Sequence, residues 1–135
     1  DIYNALPSDL RSVIIDTVTV SGHGSTSGET NFTSTDKLYL LAPGEVYSDW
    51  KTSSGASYDT AKDLTRTLDY YTAQGVTTSN YSGAIKKNGS SAAIWWLRSA
   101  NSNYINLFYY VDSDGSWFNT NARNAGGVAP AFRIG

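Results

Sequence analysis

The sequence predicts an α+β fold: short antiparallel strands dominate, one or two helices sit in the first half, and long loops join them. Three observations point there. Helical spacing of apolar residues ends by residue 75, compact aromatic and β-branched runs bounded by turn residues fill the last third, and strands and helices do not alternate as βαβ units. At 135 residues the chain is one domain's worth, so residues 1–135 are read as a single unit without internal repeats.

In chain order, Leu6-Pro7-Ser8-Asp9-Leu10-Arg11 reads as a short helix opened by Ser8, with Asp9 favourable in its first turn. Val13 to Val20 is β-branched, and Val18 and Val20 alternate with Thr17 and Thr19, which predicts a strand. Residues 21–35 are rich in Gly, Ser and Thr and predict a loop or a loosely paired ribbon. Leu38-Tyr39-Leu40-Leu41 reads as a buried strand stopped by Ala42-Pro43-Gly44, with one helical turn over Glu45 to Asp49. From Asp59 to Ala73, Ala61, Leu64, Leu68 and Tyr71 recur at helical spacing, with Asp59 or Thr60 as cap and Gly75 as stop. Residues 76–92 read as a surface loop.

Ile94-Trp95-Trp96-Leu97-Arg98-Ser99 is an aromatic strand, and because neighbours on a strand face opposite ways, at least one of Trp95 and Trp96 is expected in the core. Asn106 to Val111, Asp112-Ser113-Asp114-Gly115 and Ser116-Trp117-Phe118 form a hairpin whose turn needs Gly115 at positive φ. Gly126-Gly127 precede a last strand, Val128 to Ile134, where Pro130 marks an end or an edge. The expected core is Trp95 or Trp96, Leu97, Val111, Trp117, Val128, Ala131 and Phe132, with Leu38, Leu40, Leu64 and Leu68. Truncating Trp117 or Phe132 to Ala is then expected to cost ~3–5 kcal/mol.

Composition narrows function. Charged residues are 16% of the chain and the net charge is -2, so no basic field holds nucleic acid or anionic lipid, and no apolar run suits membrane insertion. Zero cysteines remove disulfides, thiolate nucleophiles and cysteine-bound metals. His23 stands alone in Ser21-Gly22-His23-Gly24-Ser25, which favours a solvated loop histidine over a zinc ligand or a Ser-His-Asp relay. Asp112-Ser113-Asp114-Gly115 lacks the downstream glutamate of a calcium loop, and Glu29 and Glu45 offer no evident glycosidase pair. No Gly-rich phosphate loop occurs. The expectation is therefore no catalytic residue, no metal and no cofactor. Ser, Thr and Asn total 42, beside 10 Tyr and 4 Trp. Antibody-like binding surfaces have that mixture, as do ordinary extracellular β-rich domains.

The chain is also uneven. Residues 1–99 hold five Lys, two Glu and one Gln, whereas residues 100–135 hold none of these but carry six of the ten asparagines. The first residues, Asp1-Ile2-Tyr3-Asn4, lack the basic start and apolar block of a signal peptide, so the chain is expected to be the C-terminal part of a longer protein.

Trp95-Trp96-Leu97-Arg98-Ser99-Ala100, then Val111 through Asp114-Gly115-Ser116-Trp117, then Gly127-Val128-Ala129-Pro130-Ala131-Phe132 resemble a widespread bacterial and phage domain. Many of its members look like the variable proteins of diversity-generating retroelements, which carry a C-type-lectin-type fold. Leu6 to Arg11 and Thr35 to Val46 extend the resemblance over most of the chain, although Ala129 stands where arginine is commoner. In such systems adenines of a template repeat are miscopied, so asparagine codons become many residues but never Lys, Glu, Gln, Met or Trp. The resemblance thus implies a variable region of about 101–126 on an invariant framework, with Trp117 fixed and Gly126 at the limit of variation.

The resemblance further implies a non-enzymatic domain displaying a ligand-recognition surface, on a virion or cell surface, for a protein or cell-surface target. Tyr104, Ile105, Leu107, Tyr110 and Phe118 would be its apolar anchors. Asn103, Asn106, Asn119, Asn121, Asn124 and Arg123 would supply directional hydrogen bonds, and Ser102, Asp112, Thr120 and Ala125 complete the reachable set. Two alternatives stand beside it. One is a carbohydrate-binding module that stacks Trp and Tyr on sugars; the other is an enzyme of the related formylglycine-generating type or a hydrolase, disfavoured because such enzymes of that group rely on cysteine. The tail can also be read as the polar surface of a homologue that is not diversified.

Overall fold

The computed structural model describes residues 1–135, and its nine short strands pair antiparallel in four small sheets joined by three short helices and irregular segments. Helix α1 (Ser8–Arg11) leads into β1 (Ile14–Ile15) and β2 (Thr17–Ser21). Strand β3 (Phe32–Asp36) pairs with β2 along its whole length, from Thr17↔Asp36 to Ser21↔Phe32, so the loosely paired ribbon is the form that residues 21–35 lead into. Helices α2 (Pro43–Val46) and α3 (Asp69–Ala73) flank 3-10 turns at Trp50–Thr52 and Ser54–Tyr58. After them β4 (Lys86–Asn88) and β5 (Ser91–Ala93) make a hairpin. Strands β6 (Trp95–Ala100), β7 (Leu107–Val111) and β8 (Trp117–Asn121) form a meander, and β9 (Arg133–Ile134) returns to β1. This is the α+β class that the pattern predicts.

The core lies between the inner face of β6–β7–β8 and the segment from Leu41 to Val76, and is built from Val46, Tyr47, Trp50, Tyr71, Trp95, Leu97, Tyr109 and Val111. Tyr47, Trp50, Trp95 and Tyr109 keep their polar atoms bonded, as burial demands. The Tyr47 hydroxyl donates to the Gly115 carbonyl at 2.6 Å, the Tyr109 hydroxyl to the Gly55 carbonyl at 2.7 Å, and Trp95 Nε1 to the Ala84 carbonyl at 3.1 Å. Desolvation pushes the Tyr71 hydroxyl up to about 12 and those of Tyr47 and Tyr109 higher still, so all three remain neutral.

Several expectations are corrected. The helix from Asp59 shrinks to Asp69–Ala73, with Gly75 following at φ +68°. Asp59 is buried instead of capping: its carboxylate accepts Trp50 Nε1 at 2.8 Å and the Ala61 amide at 3.1 Å, fixing a turn. Farther on, Thr67 Oγ1 donates to the Gly44 carbonyl at 2.9 Å and the Leu68 amide to the Glu45 carbonyl at 3.0 Å, so tertiary bonds hold this stretch extended and Leu64 is exposed. Leu38 to Leu41 is no strand; Tyr39 makes one bridge to Ala131, leaving Leu38 and Leu40 half-buried. The helical turn begins at Pro43, because proline presets φ at the first helical position. Residues 76–92 hold the β4–β5 hairpin, whose two-residue loop is Gly89-Ser90 with Gly89 at φ +66°.

The last segment obeys a period of two. Ala129 and Ala131 pack on the core, so Val128 and Phe132 point away and are 54% and 37% exposed. Trp117 is half-buried, edge-on to Trp50 at 5.4 Å. On β2 the buried side chains are Thr17, Thr19 and Ser21, while Val18 faces out. That inner face adjoins the polar pair of Arg98 and Glu45, whose side chains are only 10% and 11% exposed.

Leu97→Ala is expected to cost about 2–5 kcal/mol in urea unfolding, and Phe132→Ala under about 1 kcal/mol; equal losses would contradict this packing. Burial raises the Asp59 carboxyl above the ordinary carboxylate value, opposed by its hydrogen bonds from Trp50 and Ala61. A raised folded-state pKa means that Asp59 favours the fold below its unfolded pKa of about 3.9, and loses that contribution as pH rises through the folded value. Trp50→Phe removes a bond to the ionised form, so NMR titration should show the Asp59 carboxyl moving farther up.

Candidate functional site

The meander positions the tail. Register pairs Leu107 with Asn121, Tyr109 with Asn119 and Val111 with Trp117, so alternate residues share a face. Tyr109, Val111 and Trp117 turn to the core, and Phe108, Tyr110, Phe118 and Thr120 turn outward. Between Trp96 and Ala100 the β6–β7 register shifts, so Trp96 pairs with Tyr110 but Ala100 with Phe108. Trp96, Tyr110 and Phe118 consequently form an outer aromatic row, with centroids 6.1 Å and 6.3 Å apart.

Two irregular segments leave the same end of the β7–β8 hairpin: residues 101–106 before β7 and 122–126 after β8. The Ala122 amide donates to the Asn106 carbonyl at 2.9 Å and joins them. The first segment hangs on Asn101, which is buried. Its Nδ2 donates to Asn119 Oδ1 at 3.0 Å, its Oδ1 accepts the Asn103 amide at 2.9 Å, and its own amide donates to the Leu107 carbonyl at 3.0 Å. The Ser102 amide is held by the Tyr58 carbonyl at 3.0 Å. With the backbone fixed this way, Asn103, Tyr104, Ile105 and Asn106 face solvent, Ile105 being 86% exposed. In the second segment Asn121 Oδ1 accepts the Arg123 amide at 3.1 Å and Asn124 Nδ2 donates to Thr120 Oγ1 at 2.7 Å, leaving Arg123, Asn124 and Ala125 exposed.

The structure thus gathers Asn103 to Asn106 and Arg123 to Ala125 at one end, with Leu107, Thr120 and Asn121 half-buried beneath them. Tyr110 and exposed Phe118 stand on the outer sheet face. Asp112 is apart, at the opposite end of the hairpin, roughly 17 Å along the strand from Leu107. Its Oδ1 accepts the Ser113 amide at 2.8 Å. Asn119 is committed to Asn101, and Ser102 is half-buried. Tyr109 and Val111 are buried within the same stretch, so freedom of side chain does not extend over all of 101–126. Nor does it reach Gly126, where a Cβ would sit 2.6 Å from Trp96 Nε1.

The hairpin turn closes as expected. Gly115 adopts φ +93°, and a Cβ there would meet the Tyr81 carbonyl oxygen at 2.0 Å. Asp114 Oδ1 accepts both the amide and the hydroxyl of Ser116, which hold its carboxyl below the ordinary carboxylate range.

Trp96 and Phe108 were not among the expected site residues; alternation along β7 places Phe108 on the face of Tyr110, and cross-strand pairing with Tyr110 adds Trp96. An open cleft of about 390 Å³ also brings Tyr104, Ile105 and Leu107 together with His23, Glu29 and Phe32. No local pattern signals that meeting, which joins residues some 80 positions apart.

The family described as "Domain of unknown function (DUF6273)" matches residues 1–135. The chain belongs to the DUF6273 family. Comparison with curated proteins and with solved structures gives no match. In this DUF6273 domain no helix is long and apolar enough to cross a membrane, and no three His, Asp or Glu side chains converge as a metal-binding group.

Asn101→Ala removes both side-chain hydrogen bonds from a buried site. It is expected to cost about 1–3 kcal/mol and to speed hydrogen exchange at the Asn103 amide more than at Tyr109. Unchanged exchange at Asn103 would show that Asn101 does not hold the segment.

Proposed function

We propose that this DUF6273 domain is a non-enzymatic ligand-display domain of C-type-lectin-type architecture. Its diversified C-terminal surface recognises a protein or cell-surface target, and its place of work is a virion or cell surface. The observation that carries the reading is the separation of roles within one stretch. Asn103 to Asn106, Phe118 and Arg123 to Ala125 face solvent, while Tyr109, Val111 and the Asn101 side chain are buried and bonded below them. Surface substitutions away from packing usually change stability by under ~0.5 kcal/mol, so such a surface can change partners without changing shape. Short antiparallel strands, few helices and long irregular segments are compatible with the lectin-type architecture.

Binding is favoured over catalysis by the environment of the lone imidazole: His23 Nδ1 is engaged by the Gly24 carbonyl at 2.6 Å, with no carboxylate bonded to it. A second reading, a carbohydrate-binding module, draws on the outer row of Trp96, Tyr110 and Phe118. Trp96 and Tyr110 lie at 68° to each other, which makes the row a poor flat platform for a sugar chain and ranks this reading second.

Replacing Tyr104, Ile105 and Phe118 together by Ala is expected to lower Tm by less than about 5 °C. Collapse of the fold would assign those side chains to the framework. The encoding DNA supplies the second test: a near-copy of the tail differing almost only at adenines, beside a reverse transcriptase gene, is expected. Its absence would remove the diversified reading.

A further inference from the structure

The cleft between the β2–β3 connection and the tail has a chemistry of its own. One wall is built in advance of any ligand. The His23 amide is shared by Asn31 Oδ1 and Thr60 Oγ1, both at 3.1 Å, and Asn31 Nδ2 donates to the Thr60 carbonyl at 3.0 Å. His23 Nδ1 lies 2.6 Å from the Gly24 carbonyl oxygen, so Nδ1 is the donor in that contact and the ring is held against the loop. Glu29 lies over Gly24, where a Cβ would come within 2.9 Å of Oε2, and its carboxylate forms no ion pair. Phe32, Tyr104 and Phe108 supply aromatic surface, and Ile105 closes the rim.

Charge decides what fits. Three ionisable side chains of the usual charge-bearing types line the cleft: His23, Glu29 and Arg98. Arg98 is already neutralised by Glu45, so the unmatched charge facing the cleft is the Glu29 carboxylate. Aromatic rings beside a carboxylate attract a cation with an apolar stem and repel an anion. We propose that this cleft receives a lysine or arginine side chain of a protein partner. The proposal rests on the reading of residues 102–107 as a recognition surface and adds the chemistry of the cleft beside it, two thirds of whose lining comes from outside the variable stretch.

The test uses small probes on the folded wild-type chain, followed by amide NMR: phenethylammonium, its neutral N-acetyl analogue and the anion 3-phenylpropionate. Phenethylammonium is expected to produce saturable shifts at His23, Glu29, Phe32, Tyr104 and Phe108, with the neutral analogue much weaker and the anion without effect. Glu29→Gln and Phe32→Ala should each weaken the amine roughly threefold to tenfold without lowering Tm, since both side chains are exposed. Equal binding of amine and neutral analogue, shifts located elsewhere, or no saturation would overturn the cleft assignment. The broader surface reading fails by a different result, unfolding of the Tyr104, Ile105 and Phe118 triple variant.

Discussion

Arg98 is the joint on which this fold turns. Its backbone amide donates to the Leu41 carbonyl at 2.9 Å, its Nε to the Val20 carbonyl at 3.0 Å and its Nη1 to the Leu40 carbonyl at 2.9 Å, and its charge is met by Glu45. Three segments distant in sequence, β2, residues 40–45 and β6, are thereby fixed to one another. The register shift in β6 makes this possible, since it releases Leu97 to Ser99 from β7 and turns the Arg98 amide toward Leu41. A buried ion pair is weak evidence for net stability, because desolvation offsets much of the attraction; its value here is positional. Removing one partner would strand a charge among bonded carbonyls, so the arrangement resists alternatives more than it deepens the energy well.

The remaining framework is built outward from that joint. Glu45 sits in α2, and its Oε1 also reaches back to the Ala42 amide at 3.4 Å, so the ion pair and the helical turn support each other. The next residues, Val46 and Tyr47, are fully buried and begin the aromatic core. Trp50 meets Tyr109 edge-on at 5.3 Å and Trp117 at 5.4 Å, which transmits the position of the first half to the sheet carrying the tail. With no disulfide available, this small domain depends on large rings, of which Tyr47, Trp50, Trp95 and Tyr109 also have their polar ends engaged.

The strand-rich last third is legible in the sequence because its signals are local. Aromatic alternation marks β6 and β7, and Asp112 to Gly115 announces a turn that closes with Gly115 at φ +93°. The middle misleads for the opposite reason. Ala61, Leu64, Leu68 and Tyr71 keep helical spacing, yet Asp59 serves Trp50 and Leu68 serves Glu45, and those tertiary bonds override a local periodicity. Phe132 is apolar enough for the core, but parity with inward-facing Ala131 turns it outward. Of the site, the exposed asparagines and rings of the tail are readable from composition and resemblance. Glu29 and His23 are not, because their relevance arises only when the β2–β3 connection folds against residues 104–108.

Main-chain stitches hold the two solvent-facing segments: Ser102 to Tyr58, Asn101 to Leu107 and Ala122 to Asn106. Amide and carbonyl groups are common to almost every amino acid, so these ties are blind to spelling. Substitutions at positions 103–106 therefore leave these three ties in place, whereas proline at 103 would forfeit the amide that Asn101 Oδ1 accepts.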